Sequence, residues 1–178
     1  MGGAAEAVEG ALRDLGLAWS RQGDVFTVSL PGTHKLVTEC ALEVGRHTLQ
    51  VRAFVVRAPE QDEAAVYRWL LERNLKLSGV AFALDHLGDV HLVGRVPVDR
   101  VDAGLVDALL GAVAAAADAS FDPVVALGFA DSIRREWVWR RSRGEPTANL
   151  AAFAHLDPGR PPAGDGNVLP AAESTEKP

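Results

Sequence analysis

The chain has 178 residues, 48% of them hydrophobic, and a formal net charge of −6 at pH 7. That size fits one folded domain plus a tail, and the acidic balance argues against wholesale nucleic-acid binding, which favours basic surfaces. A single cysteine, Cys40, excludes an internal disulfide and gives no sign of an oxidising compartment.

Met1 leads through Gly2 and Gly3 into an amphipathic stretch without a basic-plus-apolar leader, so the expectation is a cytoplasmic protein. Residues 4–15 read as a helix whose stripe of Val8, Leu12 and Leu15 continues to Trp19, with Gly16 as its stop. Three strands follow. The first turns Phe26, Val28 and Leu30 to one face and ends at Pro31-Gly32. The second places Leu36, Cys40, Leu42 and Val44 inward, with Glu39 and Glu43 opposite. A two-residue turn at Gly45-Arg46, of type II′, leads to the third, which carries Leu49, Val51, Ala53 and Val55 inward. Alternation blurs at its end, where Phe54 and Val56 are both apolar.

A second helix starts at Gln61 or Asp62 and runs to Asn74, with Val66, Trp69, Leu70 and Leu77 as its buried stripe. A hairpin comes next. Val80, Phe82 and Leu84 are answered by Val90, Leu92 and Val96 across a turn in which Gly88 supplies the positive φ. Asp99 or Asp102 opens a third helix on Leu105, Leu109, Leu110 and Val113. Asp122-Pro123 reads as a helix restart, Asp as N-cap and Pro at the first turn, and that segment runs to Arg143. The alanines at 112–117 are too short a run, too closely flanked by Asp, to cross a bilayer, so no membrane is expected. A short helix at 147–156 repeats Leu150, Phe153 and Ala154, and the Pro-, Gly- and Glu-rich residues 157–178 read as a disordered tail. Short connections make the strands antiparallel. The expected fold is α+β, a single antiparallel five-stranded sheet in the order α-β-β-β-α-β-β-α(α), with helices mainly on one face.

Chemistry-bearing motifs are sparse. The histidines at 34, 47, 86, 91 and 155 form no HxH, HxxxH or Cys-His ligand spacing. His91 falls on the less buried face of its strand, and Asp85-His86 sits in a turn where Asp caps its own backbone. Cys40 lies mid-strand on the apolar face and reads as core rather than nucleophile. Glu39 and Glu43 stand about 13 Å apart by strand rise, too far for a paired-carboxylate site. No nucleophile elbow, P-loop or dinucleotide fingerprint occurs, and no cofactor, metal site or catalytic residue is expected. The one unusual concentration is residues 134–143, where five arginines stand against Glu136 and bracket Trp137 and Trp139. On a helix Ile133 and Trp137 share a face, where both can pack on the core, and Trp139 points about 200° from Trp137, so one of the two tryptophans is expected to be less buried than the other. The arginines suit the negative end of a helix dipole and cover apolar surface with their stems. Alternatively, with an exposed Trp they grip phosphate, RNA or an acidic peptide.

Residues 68–97, RWLLERNLKLSGVAFALDHLGDVHLVGRVP, resemble the YbjN family: an Asn closing the helix (Asn74), a Gly-led strand, an acidic-Gly turn and a second strand. Residues 117–129, ADASFDPVVALGF, resemble that family's terminal helical region. EWVWRRSRGEPTANLAAFAHL, at 136–156, is similar to an extension of its actinobacterial members. The resemblance implies a type III secretion chaperone-like fold over residues 1–143, with a helical extension at 144–156. It also implies a non-enzymatic chaperone-like or regulatory module, a homodimer that binds a protein or peptide partner. Candidate contact residues are Trp69, Phe129, Arg134, Trp137, Trp139, Arg140, Arg141 and Arg143. The alternative is a regulator of an anionic ligand or nucleic acid acting through residues 134–143.

Overall fold

The computed structural model describes residues 3–160. Helix α1 (Ala4–Asp14) leads into strands β1 (Ala18–Gln22), β2 (Val25–Pro31), β3 (Val37–Val44) and β4 (Thr48–Val56). Helix α2 (Glu63–Asn74), strands β5 (Ala81–Leu84) and β6 (Val90–Pro97), and helices α3 (Ala103–Gly128) and α4 (Ala130–Arg143) follow. A 3-10 helix, Ala148–Leu156, stands where the short helix is expected. The strands form one antiparallel sheet in the order β1-β2-β3-β4-β6-β5. The α+β class and the antiparallel pairing are as the sequence reads.

The sheet has six strands, not five. The missed strand is β1, in which Trp19 sits beside Val28 and rests on Phe26, ring centroids 5.9 Å apart. The preceding helix stops at Asp14, and Gly16 takes φ 63°. Leu36 also departs from expectation. It lies outside β3 and is 76% exposed, while Thr38 takes the inward position beside Cys40. The β3–β4 turn is centred one residue later than read. The Gly45 amide donates to the Thr48 carbonyl at 2.9 Å, so Arg46 and His47 form the corner. Gly45 is absent from the positive-φ positions, which rules out type II′ there. The blurred alternation at the end of β4 is a β-bulge: Phe54 pairs with His91, but Val56 pairs with Val90.

One sheet face is covered by helices. Phe26, Val28, Cys40, Leu42, Leu49, Val51, Val90 and Leu92 from the strands meet Val8 and Leu12 of α1, Val66 and Leu70 of α2, and Val106, Leu110 and Val113 of α3. By length and composition alone α3 could cross a membrane, its mean hydropathy being 1.5. Here its buried face is part of this core, and Asp102 caps its start by accepting the Leu105 amide at 2.8 Å.

No helix starts at Asp122-Pro123, because α3 runs continuously through Pro123. The proline removes the amide that would have bonded the Ala119 carbonyl, a local cost that the surrounding packing tolerates. The chain breaks instead at Phe129 (φ −137°, ψ 21°). There the Gly128 carbonyl accepts the amides of Glu60 and Gln61 at 2.9 and 3.2 Å. The Gln61 side chain in turn accepts the Asp131 amide at 2.9 Å, capping α4. Space at Gly128 is tight: a Cβ there would lie 3.0 Å from Pro59 Cβ. Beyond the break, Ile133 and Trp137 of α4 close a second small core with Leu150 and Phe153. The tail expected over 161–178 lies outside the described residues. Residues 157–160 are held to α4, Asp157 pairing with Arg141.

Candidate partner-binding groove

Between α2 and α3, past the edge of β5, lies a groove of about 550 Å3. Its floor follows from the α3 sequence. Leu105, Ala108, Ala112, Ala115 and Ala119 recur every three or four residues and fall on one helix face. Alanine leaves the helix surface low, so α3 forms a trough rather than a ridge. Trp69 and Leu77 wall the other side, with Phe82 of β5 between. Of the eight contact candidates, Trp69 is the one that lines this groove. Its ring carries the Arg73 guanidinium 4.6 Å from the centroid. Arg73 and Lys76 are the charged residues of the lining, and no carboxylate is among it. Ser120 spends its hydroxyl on the Ala117 carbonyl at 3.1 Å.

The sheet edge beside the groove is closed at Phe82. The Asn74 carboxamide accepts the Phe82 amide at 2.7 Å and donates to the Phe82 carbonyl at 3.2 Å. Beyond it Leu71, Leu75 and Leu84 are exposed, Leu75 at 88%.

The other candidates occupy different ground. Phe129 and Trp137 are buried, Phe129 beneath the Arg57 guanidinium and Trp137 donating its indole N–H to the Phe153 carbonyl at 3.4 Å. Trp139 is the less buried of the two tryptophans, at 46% exposed. The arginines already have partners: Arg134 with Asp131 at 2.7 Å, Arg140 with Glu136 at 2.6 Å, and Arg141 with Asp157. Arg135 approaches Glu60 at 4.0 Å, and Arg143 stacks over Trp139 at 5.5 Å.

The face of the sheet away from the helices holds a polar cluster that sequence reading missed. His91, expected on the less buried face, is buried beneath neighbouring side chains. Its Nε2 lies 3.2 Å from Asp85 Oδ2, the Arg52 guanidinium lies 3.3–3.4 Å from both ring nitrogens, and the Phe54 ring meets it edge-on. Burial alone would raise the Asp85 carboxyl. The amides of Leu87 and Asp89, together with His91, outweigh it and hold the carboxyl below its usual range. Asp85 thus caps its own turn as expected. Among the described residues no three His, Cys, Asp or Glu side chains converge as a metal-ligand set. Cys40 is fully buried, and burial, then the charge of Glu39, pushes its thiol up to about 12.

The model of the YbjN family, described as "Putative bacterial sensory transduction regulator", matches residues 4–125. The chain belongs to the YbjN family. Relatives include Mycobacterium tuberculosis Rv0487, 50% identical over 131 residues that cover 74% of this chain and 72% of that protein. Mycobacterium leprae ML2442 is 42% identical over 159 residues, 86% of each chain. Among solved structures, the heterodimeric ExoU–SpcU complex of the Pseudomonas aeruginosa type III secretion system is similar at a TM-score of 0.49 and 19% identity. That match covers 65% of this chain and 94% of the other. The Yersinia pestis type III secretion chaperone SycH, solved with a fragment of YscM2, gives 0.45 at 17% identity, covering 70% and 98%. The YbjN match ends inside α3, so α4 and the 3-10 helix lie beyond it.

Proposed function

We propose that this YbjN-family protein is a non-enzymatic, chaperone-like or regulatory binding module of the cytoplasm that receives a segment of a protein partner. The observation that carries the reading is the apolar α2–α3 groove, whose lining presents aromatic and aliphatic surface with few polar groups. The exposed leucines at 71, 75 and 84 support a homodimer through α2 and the edge of β5, since a monomer seldom leaves so much large apolar surface together. Ala115, exposed on the groove floor, offers a substitution that spares the core. Partners recovered from cell extract by the full chain are expected to be lost by Ala115→Tyr and retained by Trp139→Ala/Arg140→Ala. Partners indifferent to Ala115→Tyr would sink the groove as the binding surface. Light scattering of Leu71→Glu/Leu75→Glu tests the dimer, which that variant is expected to dissociate.

The second reading places an anionic ligand or nucleic acid at residues 134–143. The exposure of Trp139 under Arg143 favours it, while the carboxylates facing the other arginines weigh against it. Binding to single-stranded nucleic acid that falls steeply with salt would support it.

A further inference from the structure

We infer, on the reading that the α2–α3 groove binds a protein segment, that its occupant is an α-helix with an apolar face and acidic residues beside Arg73 and Lys76. Three features of the groove select that chemistry.

The first is the state of the backbone around it. Most of the lining is helix, whose main-chain groups are bonded internally, with residues 76–79 of the α2–β5 loop completing it, and the outward amide and carbonyl of Phe82 on β5 are taken by Asn74. An extended segment lying here would find no ladder to join at Phe82. Its own amides and carbonyls would be buried against alanine and tryptophan without partners, at a cost of a few kcal/mol each. A helix brings its backbone hydrogen bonds with it.

The second is shape. The trough from Ala108 to Ala119 spans twelve residues of α3, about 17 Å at helical rise, roughly three turns of a partner helix. Small residues along that line let a second helix axis come close, with Trp69 and Leu77 as walls.

The third is charge. Arg73 in the last turn of α2 and Lys76 just beyond the helix stand at the groove, and neither has a carboxylate within ion-pair distance among the described residues. By contrast the arginines at 134, 140 and 141 are each paired. Two unmatched cations on the rim of an apolar groove, in a chain of net charge −6, complement an acidic partner.

The test uses the full chain and three labelled synthetic peptides of about 16 residues, long enough to cover the trough. All share a Leu/Ala face. One carries Glu at the flanking positions, one Lys, and one the Glu pattern interrupted by proline. Anisotropy titrations are expected to show the Glu helix binding at least about tenfold tighter than the Lys helix, two charge contacts being at stake. The proline peptide is expected to bind weakly, and Arg73→Glu/Lys76→Glu to reverse the charge preference. Equal binding of the Glu and Lys helices, or full binding of the proline peptide, overturns the inference. So does failure of all three to bind. Ala115→Tyr and Ala108→Leu, checked for folding by circular dichroism, separate the two levels. If they block every peptide while charge makes no difference, the groove stands and the acidic helix falls. If the Glu helix binds regardless of both, the groove itself is wrong. A dimer that Ala115→Tyr turns into monomer would show a second copy in the groove and also overturn the inference.

Discussion

The Asn74 side chain treats Phe82 as a neighbouring strand would, accepting its amide and donating to its carbonyl. A single carboxamide at the end of α2 therefore closes the outer rim of β5 at Phe82, on one of the sheet's two edge strands. Edge strands left open are templates for unwanted pairing. Asn74→Ala is expected to cost about 1–3 kcal/mol, the range for leaving half-buried backbone groups unmatched. It should also promote association beyond the wild-type assembly, through the bared edge. Chemical denaturation and sedimentation check the two parts separately, and an unchanged midpoint would remove the structural role.

Asp118 on α3 holds down the loop between β2 and β3. Its Oδ1 accepts the amides of Thr33, His34 and Lys35 at 2.8, 2.7 and 3.0 Å. Burial would raise this carboxyl, but the three amides, with the His34 charge, hold it below the usual range. The sign follows from linkage. A carboxylate depressed in the folded state stabilises fully above its unfolded pKa, near 4. That stabilisation disappears as pH falls through the lower folded value. Asp118→Ala is therefore expected to lower the melting temperature at neutral pH, with the gap from wild type narrowing in acid. A gap that widens in acid would contradict the assignment.

The two tryptophans of α4 should respond differently. Trp137 fills the second core with Leu150 and Phe153, so Trp137→Ala is expected to cost about 3–5 kcal/mol there. Limited proteolysis should then cut near the 3-10 helix Ala148–Leu156 first. Trp139→Ala, on the exposed side, is expected to stay within about 0.5 kcal/mol of wild type.

Cys40 is predicted to ignore thiol reagents in the folded protein at mildly alkaline pH, because its thiol is buried and pushed up to about 12. Full reaction on denaturation, measured with a chromogenic disulfide, completes the check.

Much of the architecture is legible locally. The β5–β6 hairpin shows in the alternation of Val80 and Phe82 against Val90 and Leu92, and the register pairs Phe82 with Leu92 and Leu84 with Val90. β1 was not legible for a physical reason. It is an edge strand with mostly exposed side chains, and its one large apolar residue, Trp19, falls in helical step with Leu15. The break at Phe129 was hidden because it depends on amides of Glu60 and Gln61, far away in sequence. His91 misled because Arg52, Phe54 and Asp85 cover the face of the strand that alternation leaves to solvent. Trp69 stood among the contact candidates that accompany the family resemblance, but the trough opposite it needs α2 and α3 side by side. The alanines at 108, 112, 115 and 119 carry no signal of a groove until that packing is known.

Val125 belongs to both cores, packing against the main cluster and against the smaller one built on Ile133, Trp137, Leu150 and Phe153. The family match also ends at this residue. The extension is thus grafted onto a helix rather than joined by a linker. A relative ending there would bare an apolar helix tip, and would have to recruit another segment, or another molecule, to cover it. Removal of the extension is for that reason coupled to the stability of the main core, and the two do not behave as independent modules.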